Sequence, residues 1–185
     1  MFACRIKPKI WSSVFVQREA YTVLRAQTLN SGDGQLHPFS QDPPAGVPIR
    51  RLVFTGFEKC CFNAQKFDSF EGEFQLARLL ERDPDVLKWL KPAHGQFRII
   101  YDGGRNYHPD FVVETHTERF VVELKREDWK EDENVRRKAK AAALWCQHAS
   151  ALVASKPFSY LLIPHQGFGA QYAFETLRAQ YVQKA

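Results

Sequence analysis

The sequence predicts an α/β domain in which a mixed central β-sheet is flanked by helices. Three observations carry that expectation. Runs rich in Val, Phe, Ile and Tyr near residues 96–101, 106–114 and 119–125 read as consecutive strands, a helical stretch near 131–149 follows, and the apolar run Tyr160–Ile163 then reads as one more, buried strand. Strands followed by a crossover helix and a further strand build a sheet of mixed direction covered by helices. With 185 residues, 44% of them hydrophobic, the chain can bury one sizeable core.

In chain order, the first fifty residues differ in kind from the rest. Asn30-Ser31-Gly32-Asp33-Gly34 and Gln41-Asp42-Pro43-Pro44-Ala45-Gly46-Val47-Pro48 are loop-forming punctuation. They place a boundary near residue 50, with residues 1–50 an N-terminal extension and 51–185 the principal domain. Within the extension, Phe15 to Leu29 is apolar enough for a strand or a helix.

The next element is a helix over Glu71 to Asp83, where Glu73, Leu76, Ala77 and Leu80 follow the i, i+3, i+4, i+7 rule. Glu73 sits on that apolar stripe, whereas Glu71 falls near Phe74, Gln75 and Arg78. A glutamate aimed at a core is costly unless it is paired or bound to a metal. A first-turn glutamate is equally favoured by the helix dipole, and the pattern leaves these two accounts of Glu73 level.

Asp102-Gly103-Gly104-Arg105 has the composition of a tight turn between the first two strands. The short polar link Thr115-His116-Thr117-Glu118 suits an antiparallel hairpin that brings Asp110 beside Glu123. Successive strand residues point to opposite faces, so Glu123 and Lys125 project together. Asp110 shares a face with Val112, while Phe111 and Val113 turn the other way, toward a helix. The helix that follows opens on Glu131-Asp132-Glu133, where acids suit a helix N-terminus, and carries an apolar stripe of Val135, Ala139, Ala142 and Cys146. A closing helix is expected near 170–182.

Two carboxylates and an ammonium therefore converge. Hard divalent cations such as Mg²⁺ take oxygen ligands, usually one or two carboxylates with waters and a substrate phosphate, which makes Asp110 and Glu123 the natural ligands. Lys125 can orient an attacking water or support the phosphate. An E-x-K pair alone is more often the solvated face of an edge strand. Joined to Pro109-Asp110 in an apolar strand, it points to metal-dependent cleavage of a nucleic acid.

These residues resemble the PD-(D/E)xK nucleases, with Pro109-Asp110, Glu123-Leu124-Lys125 and an upstream helix glutamate. The likeness is closer to the C-terminal endonuclease region of type III restriction enzyme Res subunits. It is carried by Phe54-Thr55-Gly56-Phe57, Lys66-Phe67-Asp68-Ser69, Leu80-Glu81-Arg82-Asp83, Val86-Leu87-Lys88-Trp89, Tyr107-His108-Pro109-Asp110-Phe111-Val112-Val113-Glu114, Ala142-Ala143-Leu144-Trp145-Cys146 and Tyr160-Leu161-Leu162-Ile163-Pro164-His165. The resemblance covers residues 51 to 166 and implies a restriction-endonuclease-like core that hydrolyses DNA phosphodiester bonds with Mg²⁺, or Mn²⁺ in its place. It implies Asp110, Glu123 and the backbone carbonyl of Leu124 as metal ligands, Lys125 in the family lysine's place and Glu73 in that of the helix glutamate. One departure stands out. A Res subunit also carries an ATP-driven motor, yet this chain has no G-x-x-x-x-G-K-[ST] string and so no ATP site. The expected setting is an excised domain, a truncated gene product or a stand-alone nuclease whose motor is another polypeptide, with residues 1–50 read as a motor-domain remnant and a separate helicase or DNA methyltransferase subunit as partner. Transposon end-cutting and junction-resolving enzymes share the same residue signature.

The formal net charge of +5 suits double-stranded DNA as partner. The same charge also fits a reading of another class, a non-catalytic DNA-binding or assembly module of a restriction complex. Arg136-Arg137-Lys138-Ala139-Lys140 reads first as the solvated face of its helix, with Lys140, flanking the apolar stripe, and Arg137 as the candidates for DNA contact. Trp89, Trp129 and Trp145 read as packing residues before base-stacking ones. His94, His108 and His165 show no metal-ligand pattern. Cys4, Cys60, Cys61 and Cys146 match neither zinc spacing nor a disulfide framework, and no stretch has the length of a signal peptide or membrane span; a reduced cytoplasmic chain is expected.

Overall fold

A computed structural model describes residues 34–126, 132–153, 155–166, 168–169 and 171–184. The proposed element Phe15–Leu29 and Trp129 lie outside these residues. The architecture is mixed α/β, built on a five-stranded sheet with the order β10-β9-β8-β7-β4. Its strands are β4 (Val86–Leu90), β7 (Phe111–Thr115), β8 (Arg119–Lys125), β9 (Phe158–Pro164) and β10 (Val182–Gln183). The β4–β7, β7–β8 and β9–β10 pairs are antiparallel, and β8–β9 is parallel.

That parallel step follows from the connection. Helix α2 (Glu133–Leu152) intervenes between β8 and β9, long enough to carry the chain back to the starting edge. Asp132 caps it, its carboxylate accepting from Asn134 N (2.8 Å) and Val135 N (3.3 Å). Because both faces of the sheet are covered, β8 reads Phe-Val-Val-Glu-Leu rather than apolar/polar alternation. Phe111, Val113, Phe120, Val122 and Leu124 pack with Leu76, Leu80, Phe174 and Leu177, from helices α1 (Gln75–Arg82) and α3 (Phe174–Tyr181). Val112, Val121, Tyr160 and Leu162 pack on the other side with Val135, Ala142, Trp145 and Cys146 of α2. Trp89 and Trp145 are both buried in these cores, as the packing account of them required.

A single π-type turn, Phe70–Phe74, opens α1. Phe74 N donates to Ser69 O (3.1 Å), and the Ser69 hydroxyl caps the turn by accepting from Glu73 N (3.0 Å). Beyond its last turn, Pro84 prevents continuation. The Glu81 carboxylate on α1 accepts from Glu58 N, Cys60 N and the Trp89 indole (2.8, 2.9 and 2.7 Å), pinning the preceding loop against β4.

Three expectations need correction. First, the boundary near residue 50 falls inside packed structure: β1 (Gln35–Pro38) pairs in parallel with β2 (Leu52–Thr55), which pairs with β3 (Ala64–Gln65), and Phe39 is buried against Phe54, Phe67 and Phe74. The loop punctuation at 41–48 is a connection within one unit. Second, the strands expected at 96–101 and 106–114 do not both join the central sheet. β5 (Ile99–Tyr101) and β6 (Arg105–Tyr107) form a separate two-stranded hairpin around the expected turn, where Asp102, Gly103 and Gly104 all have positive φ. The chain leaves strand geometry at His108–Asp110 because Pro109 has no N–H to give a ladder. Third, β4 itself was not expected, since Val-Leu-Lys-Trp-Leu lacks a two-residue period; its register against β7 shifts between Val86 and Lys88.

No helix among the described residues is long and apolar enough to cross a membrane.

Candidate active site

The β7–β8 hairpin delivers the two carboxylates. Phe111 pairs with Val122, and extending that register by one and two residues sets Asp110 opposite Glu123 and Pro109 opposite Leu124. Asp110 Oδ2 accepts from Leu124 N at 2.8 Å. Odd-numbered β8 residues turn their backbone groups to the β9 side, as Arg119 N donating to Pro157 O (2.8 Å) and Lys125 O accepting from His165 N (2.7 Å) demonstrate. Leu124 therefore turns its carbonyl toward Asp110, and Pro109 opposite has no proton to offer it. The Pro-Asp step thus sets an acidic side chain beside a backbone carbonyl that Pro109 cannot pair.

Glu123 is buried, 4% exposed, with each oxygen engaged. Oε1 accepts from Lys125 Nζ at 2.5 Å and Oε2 from the Tyr107 hydroxyl at 2.7 Å. Burial and then the charge of Glu123 push the Asp110 carboxyl up to about 8; Glu73 adds to the rise, while the Leu124 N–H and Lys125 oppose it. Without a bound cation, Asp110 therefore favours its protonated form at neutral pH. Burial works against the charge on Lys125, but Glu123 and Asp110 outweigh it and hold the ammonium above the ordinary lysine value.

Glu73, from the π turn, is buried, whereas Glu71 is exposed. Its Oε2 accepts from Asp68 N (2.6 Å) and from Lys91 Nζ (2.9 Å). Glu73 therefore satisfies both accounts left open above: it is a first-turn acid, and it is a core-facing carboxylate with a cationic partner. Lys91, just after β4, is the residue that sequence reasoning missed here, because its approach to Glu73 depends on an unforeseen strand. His165, read above as showing no metal-ligand pattern, lies beside this group as well. It follows β9 directly, and its ring lies against Gly72, so that a Cβ at position 72 would sit 2.9 Å from Nε2 and 2.8 Å from the Ser69 hydroxyl. Burial and then Arg126 lower the His165 pKa, with Glu73 and Lys125 also in its field. Gly72→Ala should therefore displace the cap on Glu73 N and destabilise the protein by about 1 kcal/mol, read as a lowered denaturation midpoint; an unchanged midpoint would refute the crowding.

The two residues assigned to DNA contact are not joined to this group. Arg137 pairs with Asp102 (3.2 Å) and Glu133 (3.9 Å). Lys140 is exposed on α2, with no hydrogen bond or ion pair to the acidic pair among the described residues. His108 uses Nδ1 on Phe97 O (3.1 Å) and stacks near His94, ring centroids 4.7 Å apart.

Among the described residues, no three His, Cys, Asp or Glu side chains gather closely enough to hold a metal by themselves. The donor set that is present consists of oxygens only: the Asp110 and Glu123 carboxylates and the Leu124 carbonyl. Oxygen donors of this kind are the type a hard cation takes, together with water and phosphate. The chain matches no protein-family model, no curated protein and no solved structure.

Proposed function

We propose that the chain is a Mg²⁺-dependent endonuclease hydrolysing DNA phosphodiester bonds, the cleavage part of a type III-like restriction system. The observation that carries this reading is the Asp110 carboxylate held on β8 by Leu124 N, next to Glu123, whose own carboxylate is bonded to Lys125. The succession α1, β4, β7, β8, α2, β9 supports it, being a helix, three antiparallel strands, a crossover helix and a parallel strand, as a restriction-endonuclease-like core requires. Asp110, Glu123 and the Leu124 carbonyl would hold the cation, Mn²⁺ serving in place of Mg²⁺. When bound, the cation supplies a water of lowered pKa and neutralises charge developing on the scissile phosphate. Lys125 then turns from Glu123 to the phosphate or the attacking water. Glu73, braced by Lys91, bounds the site on the helix side. Double-stranded DNA in the cytoplasm is the substrate in this reading, and a helicase or DNA methyltransferase subunit is the partner.

Nicking of supercoiled plasmid in the presence of Mg²⁺ is the direct test. Lys125→Ala should slow it by roughly 100-fold, and a rate left unchanged by that substitution overturns the assignment. A second reading, a non-catalytic DNA-binding or assembly module, rests on the chain's formal net charge of +5. Metal binding abolished by Asp110→Ala without cleavage under any condition would select it.

A further inference from the structure

We propose that Tyr107 is a positioning residue that presets the Glu123 carboxylate for a divalent cation, and that the β5–β6 hairpin is the strut delivering it. The inference rests on the nuclease reading and extends it to a part of the molecule outside the central sheet. The Tyr107 hydroxyl donates to Glu123 Oε2 at 2.7 Å, with both side chains buried, and the Tyr160 hydroxyl lies 3.4 Å behind it. Away from water, a hydroxyl bonded to a carboxylate is short and strong and defines which oxygen is tied. With Oε2 held, Oε1 is the oxygen presented to Lys125.

The hairpin is braced at its far end on α2. Tyr101 OH donates to Asn134 Oδ1 (3.3 Å), Arg137 pairs with Asp102 (3.2 Å), and Lys138 lies over the Tyr101 ring, 5.7 Å from its centroid. Two members of the basic run on α2 thus have a structural use, to latch the hairpin. Pro109 prevents β6 and β7 from running together as one strand, and this offset leaves Tyr107 paired with Ile99 in the hairpin, its hydroxyl on Glu123, rather than in the ladder of the central sheet.

The test is Tyr107→Phe, which removes one oxygen from a buried ring and leaves its packing. Titration of Mn²⁺ into the DNA-free protein, followed calorimetrically, should show Kd weakened by about tenfold, the size of effect that outer-shell partners of metal ligands produce. The melting temperature in EDTA should move little. Half-maximal nicking should need correspondingly more Mg²⁺ while the rate at saturating metal approaches wild type. Asp102→Ala, which loosens the latch without touching Glu123, should shift the same Kd in the same direction by less. A lowered melting temperature with metal affinity unchanged would assign Tyr107 a packing role and overturn the proposal. An Asp102→Ala variant with wild-type Kd overturns the strut. A wild-type protein that binds neither Mn²⁺ nor Mg²⁺ fails one step earlier, removing the nuclease reading itself.

Discussion

Asp110→Asn is expected to reduce Mg²⁺-dependent nicking by about 10³-fold or more and, in the same protein, to raise the melting temperature. Asparagine keeps an oxygen to accept from Leu124 N, so the end of the hairpin stays closed, but it removes one of the anionic donors a hard cation requires. The stability gain follows from the raised Asp110 pKa. An aspartate near 3.8 in the unfolded chain and about 8 in the fold binds an extra proton when folded. Between those values the native state holds the proton and the unfolded state does not, so stability falls as pH rises from about 4 to about 8 and is level above. Asparagine escapes that loss. Discounted for the partial exposure of Asp110, the gain at pH 8.5 is about 2 kcal/mol, or a rise in Tm of roughly 5 °C, and it should shrink toward pH 4. Urea midpoints of the two proteins at pH 5 and pH 8.5, in EDTA, measure it. A variant that still nicks DNA removes Asp110 from the site; one that is less stable than wild type at pH 8.5 contradicts the repulsion between Asp110 and Glu123.

This opposition of activity and stability separates a functional acid pair from a structural one. Glu114 shows the structural kind: Lys156, Lys88 and Arg119 surround it, and although burial works against its charge, these partners hold its pKa below the ordinary value. The Asp110–Glu123 pair has one ammonium for two carboxylates. Left to itself, such a pair is a cost to the fold, as the proposed cation site would be without its ion.

The hairpin carrying Asp110 and Glu123 was legible in the sequence because its information is local. Four polar residues between two apolar runs define the turn, and the turn defines the register that sets position 110 against 123. Helix α2 and strand β9 were legible for a like reason, each being long and bounded by caps or turn residues. What escaped depends on contacts distant along the chain. β4 has no periodicity of its own and is a strand because β7 and the Cys60 bridge pair with it. Lys91 reaches Glu73 only through that strand. Gln35–Pro38 joins β2 across a loop whose prolines and glycine read as a boundary. Arg137 looked like a phosphate ligand because its run is basic; its partner, Asp102, sits in a turn 35 residues upstream. Tyr107 gave no sign beyond lying two residues before Pro109, since a tyrosine in a β-rich stretch is most simply core.

The fifth expectation joins proton to metal. To bind a cation, Asp110 must surrender the proton that burial and Glu123 make it keep, so one proton should leave per ion bound at pH 6.5 and none at pH 9. Affinity for Mg²⁺ should then climb about tenfold per pH unit up to about pH 8 and flatten beyond, a difference of roughly 30-fold between pH 6.5 and pH 8.5. Native stability in EDTA falls over that same interval while the cation's stabilisation grows, so the rise in Tm on adding Mg²⁺ should be small at pH 6.5 and largest at pH 8.5. Calorimetry in two buffers of different ionisation enthalpy counts the proton directly. Glu73 and Lys125 also face Asp110, and the Asp110→Asn variant shows which group is responsible: it should release no proton and show no pH-dependent Tm gain. Equal affinity at pH 6.5 and pH 8.5 in the wild type would mean that the protonated carboxyl is not a ligand, and the cation site would have to be sought away from the β7–β8 hairpin.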